Sequence, residues 1–150
     1  MEMGGTRFDR PPAPGEPAAM PRFILLEHTG APDDPAGRHF DLLLEGGEAC
    51  RTWRLAEIPS PAGPAVAAVA IAPHRLAWLD HVAGEVSGGR GFAQRIDGGT
   101  FEPALEGSPE GSSPERIHVR LVGERSTRSL LLVRGADGWT ARIIDPGTGN

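Results

Sequence analysis

The sequence contains no lysine; all 15 of its basic residues are arginine. It holds one cysteine, Cys50, so no intrachain disulfide can form, which fits a reducing compartment. No apolar run approaches the roughly 20 residues that a membrane-spanning helix needs. The N-terminal stretch is rich in proline and glycine where a signal peptide would be apolar. These absences lead to the expectation of a cytoplasmic protein with no membrane contact. Basic charge is also in deficit, because 20 acidic residues leave a net charge of −5. An acidic total argues against broad nonspecific nucleic-acid binding. It leaves room for a local arginine-lined groove, since the planar guanidinium is the better bidentate partner for phosphate. A GC-rich genome that writes arginine for lysine gives the same composition, and that reading stays open.

What is present suits one domain. The 150 residues are 39 % hydrophobic, enough for a single packed core. Residues 1–20 read as a disordered tail, because Arg10-Pro-Pro-Ala-Pro-Gly-Glu-Pro17 supports neither a helix nor a central strand. Residues 21–145 read as the domain. Phe23–His28, Arg38–Glu45 and Glu48–Leu55 have the length and composition of strands, the last two forming a hairpin about Gly46-Gly47. Ala65–Ile71 is apolar but alanine-rich, and reads equally as strand or short helix. Phe92–Ile96 is strand-like, with Asp97-Gly98-Gly99 reading as a turn after it. A polar linker over 105–115 precedes three more strand candidates, Ile117–Val122, Ser129–Arg134 and Trp139–Ile144. The expected fold class is mostly β: a small closed or partly closed β-barrel with short connecting turns.

Five histidines occur, and two features of their placement carry chemistry. His39 and Asp41 are two apart on a strand, so their side chains project together while Phe40, Leu42 and Leu44 face the core. An imidazole and a carboxylate side by side suit a divalent metal, and His28, at the end of the preceding strand, is the natural third ligand. Two imidazoles and one carboxylate fit Mn, Fe or Zn. Such a pair also arises by chance on an exposed polar face. His81 and His118 read as non-ligands. Trp53, Trp78 and Trp139 read as core residues, and Cys50 as a small apolar strand residue.

The run Phe23-Ile-Leu-Leu-Glu-His28, then Arg38-His-Phe-Asp-Leu-Leu-Leu-Glu45, then Arg51-Thr-Trp-Arg-Leu55 resembles the opening of the 3′-phosphoesterase domain of bacterial DNA ligase D. His74-Arg-Leu-Ala-Trp-Leu-Asp80 and Asp97-Gly-Gly-Thr-Phe-Glu-Pro103 extend the resemblance, which covers roughly residues 22 to 144. The resemblance implies a compact β-barrel that binds Mn²⁺ and trims DNA 3′ ends in repair, removing a terminal ribonucleoside and then the 3′-phosphate. It implies His28, His39 and Asp41 as metal ligands and His74 as the catalytic histidine at the scissile phosphate. Zn²⁺ or another divalent ion is an alternative occupant. Expected partners are DNA or DNA/RNA 3′ ends, with a ligase or polymerase acting in trans.

The sequence departs from the family pattern at two basic positions. Leu43 stands where the family has an arginine, and Glu57 where it has a lysine. The segment between His28 and His39 is also longer than usual, through Ala31–Gly37. Arg90, set among glycines, is the expected substitute for binding the substrate phosphate. The alternative is a catalytically degenerate barrel that binds a nucleic-acid end or a protein partner.

Overall fold

The computed structural model describes residues 20–61, 63–103 and 116–144. The tail expected over 1–20, all but Met20, and the linker over 105–115 lie outside the described residues. Nine strands follow in order: β1 (Arg22–Thr29), β2 (Arg38–Glu45), β3 (Ala49–Leu55), β4 (Val66–Arg75), β5 (Ala83–Glu85), β6 (Phe92–Pro103), β7 (Arg116–Gly123), β8 (Thr127–Gly135) and β9 (Gly138–Ile143). A single 3-10 turn of helix, Leu76–Asp80, separates β4 from β5. No helix of the described residues is long and apolar enough to cross a membrane.

The strands pair in the order β1-β2-β3-β4-β9-β8-β7-β6, and β6 returns to pair with β1. Every one of these pairings is antiparallel, so the sheet closes into an eight-stranded barrel. The short β5 lies outside the ring, against the first residues of β6. Closure leaves the ring without an edge strand to pair with another chain.

One open reading of element type is resolved and one expectation changes. Alanine-rich β4 is a strand, and it runs on through Ala72 to Arg75. Asp97-Gly98-Gly99 is no turn; it is the middle of the 12-residue β6. The glycines serve the barrel's curvature. A Cβ on Gly99 would run into the Val122 carbonyl of β7, and the pairing of β1 with β6 shifts register beside Leu25 and Leu26. Glycine at that point lets one bent strand serve both neighbours. The Asp97 carboxylate turns to the β7–β8 connection and accepts the Arg125 backbone N–H at 3.0 Å.

Alternation places the core inside the ring. Phe23, Phe40, Leu42, Leu44, Trp53 and Leu132 are among the side chains that fill it. Trp53 is fully buried and meets Trp139 edge to face at 5.5 Å. A second, smaller apolar layer lies outside the ring, where Ile24, Leu26, Leu43 and Cys50 are covered by Leu79. β2 is therefore buried on both faces over most of its length.

A candidate metal centre and its groove

The outward residues of β1 and β2 change character along their length. Ile24, Leu26 and Leu43 lie under the 3-10 turn; His28, His39 and Asp41 lie beyond its shelter. Antiparallel register sets His28 directly opposite His39, and their rings stand edge to face with centroids 4.8 Å apart. His39 and Asp41 are nearly sealed, at 3 % and 5 % exposure.

One ligand atom from each of the three lies within 4.8 Å of the other two. His28 Nδ1 is 3.6 Å from Asp41 Oδ2, and His39 Nε2 is 3.5 Å from Asp41 Oδ1. These separations are too long for good hydrogen bonds. They are near the roughly 3.4 Å between ligand atoms that each sit about 2.1 Å from one tetrahedral ion, and Asp41 turns one oxygen to each imidazole. His39 Nε2 and Asp41 Oδ1 are buried with no hydrogen-bond partner. Leaving such atoms unsatisfied is costly. A shared cation would satisfy both, so the residues present fit a divalent metal with an N, N, O donor set.

The outer ring nitrogens are engaged, which fixes the roles of the inner ones. His28 Nε2 lies 2.7 Å from the Arg90 carbonyl oxygen, so it carries the proton and leaves Nδ1 as the ligand atom. His39 Nδ1 lies 2.8 Å from Asp34 Oδ2 and donates to it, leaving Nε2 as the ligand atom. The hydrogen bond from His39 holds the Asp34 carboxyl below its usual range. A backbone N–H from Ala36 at 3.1 Å adds to that effect. Asp34 belongs to the Ala31–Gly37 loop, which closes on itself through Gly30 N–H to the Gly37 carbonyl at 3.1 Å. The loop thus brings a carboxylate behind a candidate ligand.

The cluster opens into a groove of about 630 Å³. His28 and Asp41 line it together with His74, Trp78, Arg54 and Arg90. His74 sits at the end of β4, where its Nδ1 lies 3.2 Å from the Ala72 carbonyl and its ring 6.1 Å from that of Trp78. Arg90 reaches the site mainly through its backbone. Its guanidinium is folded onto its own turn, donating from Nε to the Ser87 carbonyl at 2.7 Å and from Nη2 to Ser87 Oγ at 3.2 Å. Arg38 turns away to Glu27 at 3.2 Å.

The structure thus brings His28, His39, Asp41, His74 and Arg90 to one side of the barrel. Leu43 is sealed at 0 % exposure beneath Leu79, and Glu57 is exposed outside the groove lining. His81 is spent on the Ala93 carbonyl at 2.9 Å, and His118 is buried on β7. Burial raises the Cys50 thiol to about 11, so it stays protonated and inert at neutral pH. Sequence reasoning missed Asp34 and Arg54. The signal for Arg54 was available. The Gly46-Gly47 turn pairs Glu45 with Cys50, and the same register carries Asp41 opposite Arg54. Asp34 had no comparable signal, because an irregular loop has no side-chain periodicity to read.

No protein-family model matches the chain, and no curated protein matches its sequence. Fold and site define a closed antiparallel barrel with a His-His-Asp cluster on its outer wall.

Proposed function

We propose that the protein is a metal-dependent phosphoesterase acting on DNA 3′ ends in repair, removing a 3′-phosphate or a 3′-ribonucleoside. The observation that carries this reading is the pair of buried, unpartnered atoms on His39 and Asp41, set with His28 beside a groove that His74 also lines. The resemblance noted in the sequence supports it. His28, His39 and Asp41 would hold the ion, Mn²⁺ by that resemblance. When bound, such an ion polarises a phosphate oxygen and favours a nucleophile at neutral pH. Asp34 and the Arg90 carbonyl hold the two imidazoles in the tautomers that leave His39 Nε2 and His28 Nδ1 as acceptors. His74 anchors its Nδ1 on the Ala72 carbonyl, which keeps Nε2 for holding a proton at the leaving oxygen. Trp78 walls the groove beside His74, where an aromatic face suits a terminal base. Ligation or synthesis on the resulting hydroxyl belongs to a partner enzyme acting in trans.

The test is release of phosphate from a 3′-phosphorylated DNA primer with Mn²⁺. Wild type is expected to release it, and His39→Ala to lose both turnover and tight Mn²⁺ binding by calorimetry. Absence of turnover on any 3′-end substrate by metal-loaded wild type would overturn the enzyme reading. One observation favours a second reading, a barrel that binds an end or a partner without turnover: Leu43 seals the position where the family carries a basic residue.

A further inference from the structure

Three arginines line the groove: Arg54, Arg75 and Arg90. They differ in how free their charge is. Arg90 is closed onto Ser87 by two hydrogen bonds. Arg75 is exposed at the end of β4, where water screens it. Arg54 lies between these cases. It projects from the middle of the wall, opposite Asp41, with its side chain 28 % exposed. Its Nε is buried without a partner. Its one acceptor among the described residues is Asp33 Oδ2, 3.5 Å from Nη1, at the outer limit of a hydrogen bond. Asp33 itself is 71 % exposed, so this pair holds Arg54 weakly.

We propose that Arg54 anchors a phosphoester oxygen in this groove, and that Asp33 is an internal carboxylate that the ligand displaces. This rests on the phosphoesterase reading for the identity of the ligand. The chemistry of the pair supports the assignment. A half-buried guanidinium binds a phosphate oxygen more strongly than a fully solvated one, because less water competes. Asp33 offers that guanidinium a single carboxylate oxygen at long range, whereas a terminal phosphate monoester offers several oxygens and more charge. The exchange costs little, because the bond it breaks is weak and exposed. Arg54 also stands in for charge that Leu43 does not supply. Both project from the outer wall, two positions apart along the β2–β3 register, but Leu43 is under the roof and Arg54 is in the open groove.

The experiment measures binding of thymidine 3′-monophosphate to Mn²⁺-loaded protein by calorimetry, with Mn²⁺ affinity determined separately. Arg54→Ala is expected to weaken the nucleotide about tenfold or more, with Mn²⁺ affinity retained. Arg54→Lys should recover part of the loss, since it keeps the charge and loses the planar fork. Asp33→Asn should tighten the nucleotide severalfold, a gain that no unfolding artefact can produce. Arg75→Ala should change it by less than about threefold. Equal nucleotide affinity in wild type and Arg54→Ala overturns the proposal, as does failure of wild type to bind the nucleotide. An Arg90→Ala loss larger than the Arg54→Ala loss also overturns it. If nucleotide binding depends on Arg54 and no 3′ end is turned over, the anchor stands and the phosphoesterase reading falls. If primer turnover is present and indifferent to Arg54, the reverse holds.

Discussion

Asp34 shows how much a single side chain in an irregular loop contributes to the site. It touches no expected ligand position in sequence terms, five residues before His39, yet it accepts the His39 Nδ1 proton at 2.8 Å. Without that acceptor the ring is free to turn over or change tautomer, and its ligand nitrogen is no longer preset. Asp34→Asn is therefore expected to weaken Mn²⁺ affinity about 10- to 100-fold while the melting temperature of the metal-free protein changes little. Calorimetry on the variant checks this; unchanged affinity would show that the ring is held by packing alone. His39 and Asp41 were legible from strand alternation, because a period of two is a strong geometric constraint. His28 was legible as the end of the neighbouring strand, whereas Asp34 depends on the path of a loop that returns through Gly37 at positive φ.

At the scale of elements, β2 matches its expected boundaries because its pattern is unambiguous: alternating core residues, a His-x-Asp pair and a Gly-Gly turn behind it. β4 and β6 were harder for opposite reasons. Alanine has little β preference of its own, so β4 takes its conformation from hydrogen bonds to β3 and β9. Asp-Gly-Gly is a common turn signal, but in β6 Gly99 accommodates the β7 backbone and Gly98 the Arg95 side chain. The 3-10 turn Leu76–Asp80 decides what β2 tolerates. Leu79 covers Leu43, so a basic group has no open space at that position. Leu43→Arg should bury an unpaired guanidinium and cost more than ~3 kcal/mol of stability, measured by urea unfolding. A loss below ~1 kcal/mol would mean that the roof lifts easily and that the outer layer is no barrier to charge.

For the molecule as a whole, closure joins the beginning of the described chain to its middle. Phe23 pairs with Gly99, and the ring has no seam until that contact forms. Antiparallel neighbours close in sequence, such as β7, β8 and β9, are able to form before it. Long-range pairing of this kind makes folding slow relative to local structure. Refolding followed by tryptophan fluorescence should take milliseconds to seconds. Completion within microseconds would contradict a barrel closed last through β1 and β6. The fold class was legible from many short strands and frequent turns. The order of the ring was not, because strand pattern gives faces and lengths but leaves open which distant edges meet.

The outer placement of the cluster separates two kinds of constraint that most binding pockets mix. Along β2, residues 40, 42 and 44 answer to the interior of the barrel, and residues 39 and 41 answer to the chemistry outside it. Inheritance can then revise them separately. In a saturation library scored once for abundance and once for activity, tolerance along this strand should alternate residue by residue. Conservative apolar exchanges at the even positions should pass both scores, while exchanges at 39 and 41 should pass the first and fail the second. New chemistry could be selected on the outer wall without rebuilding the barrel that carries it.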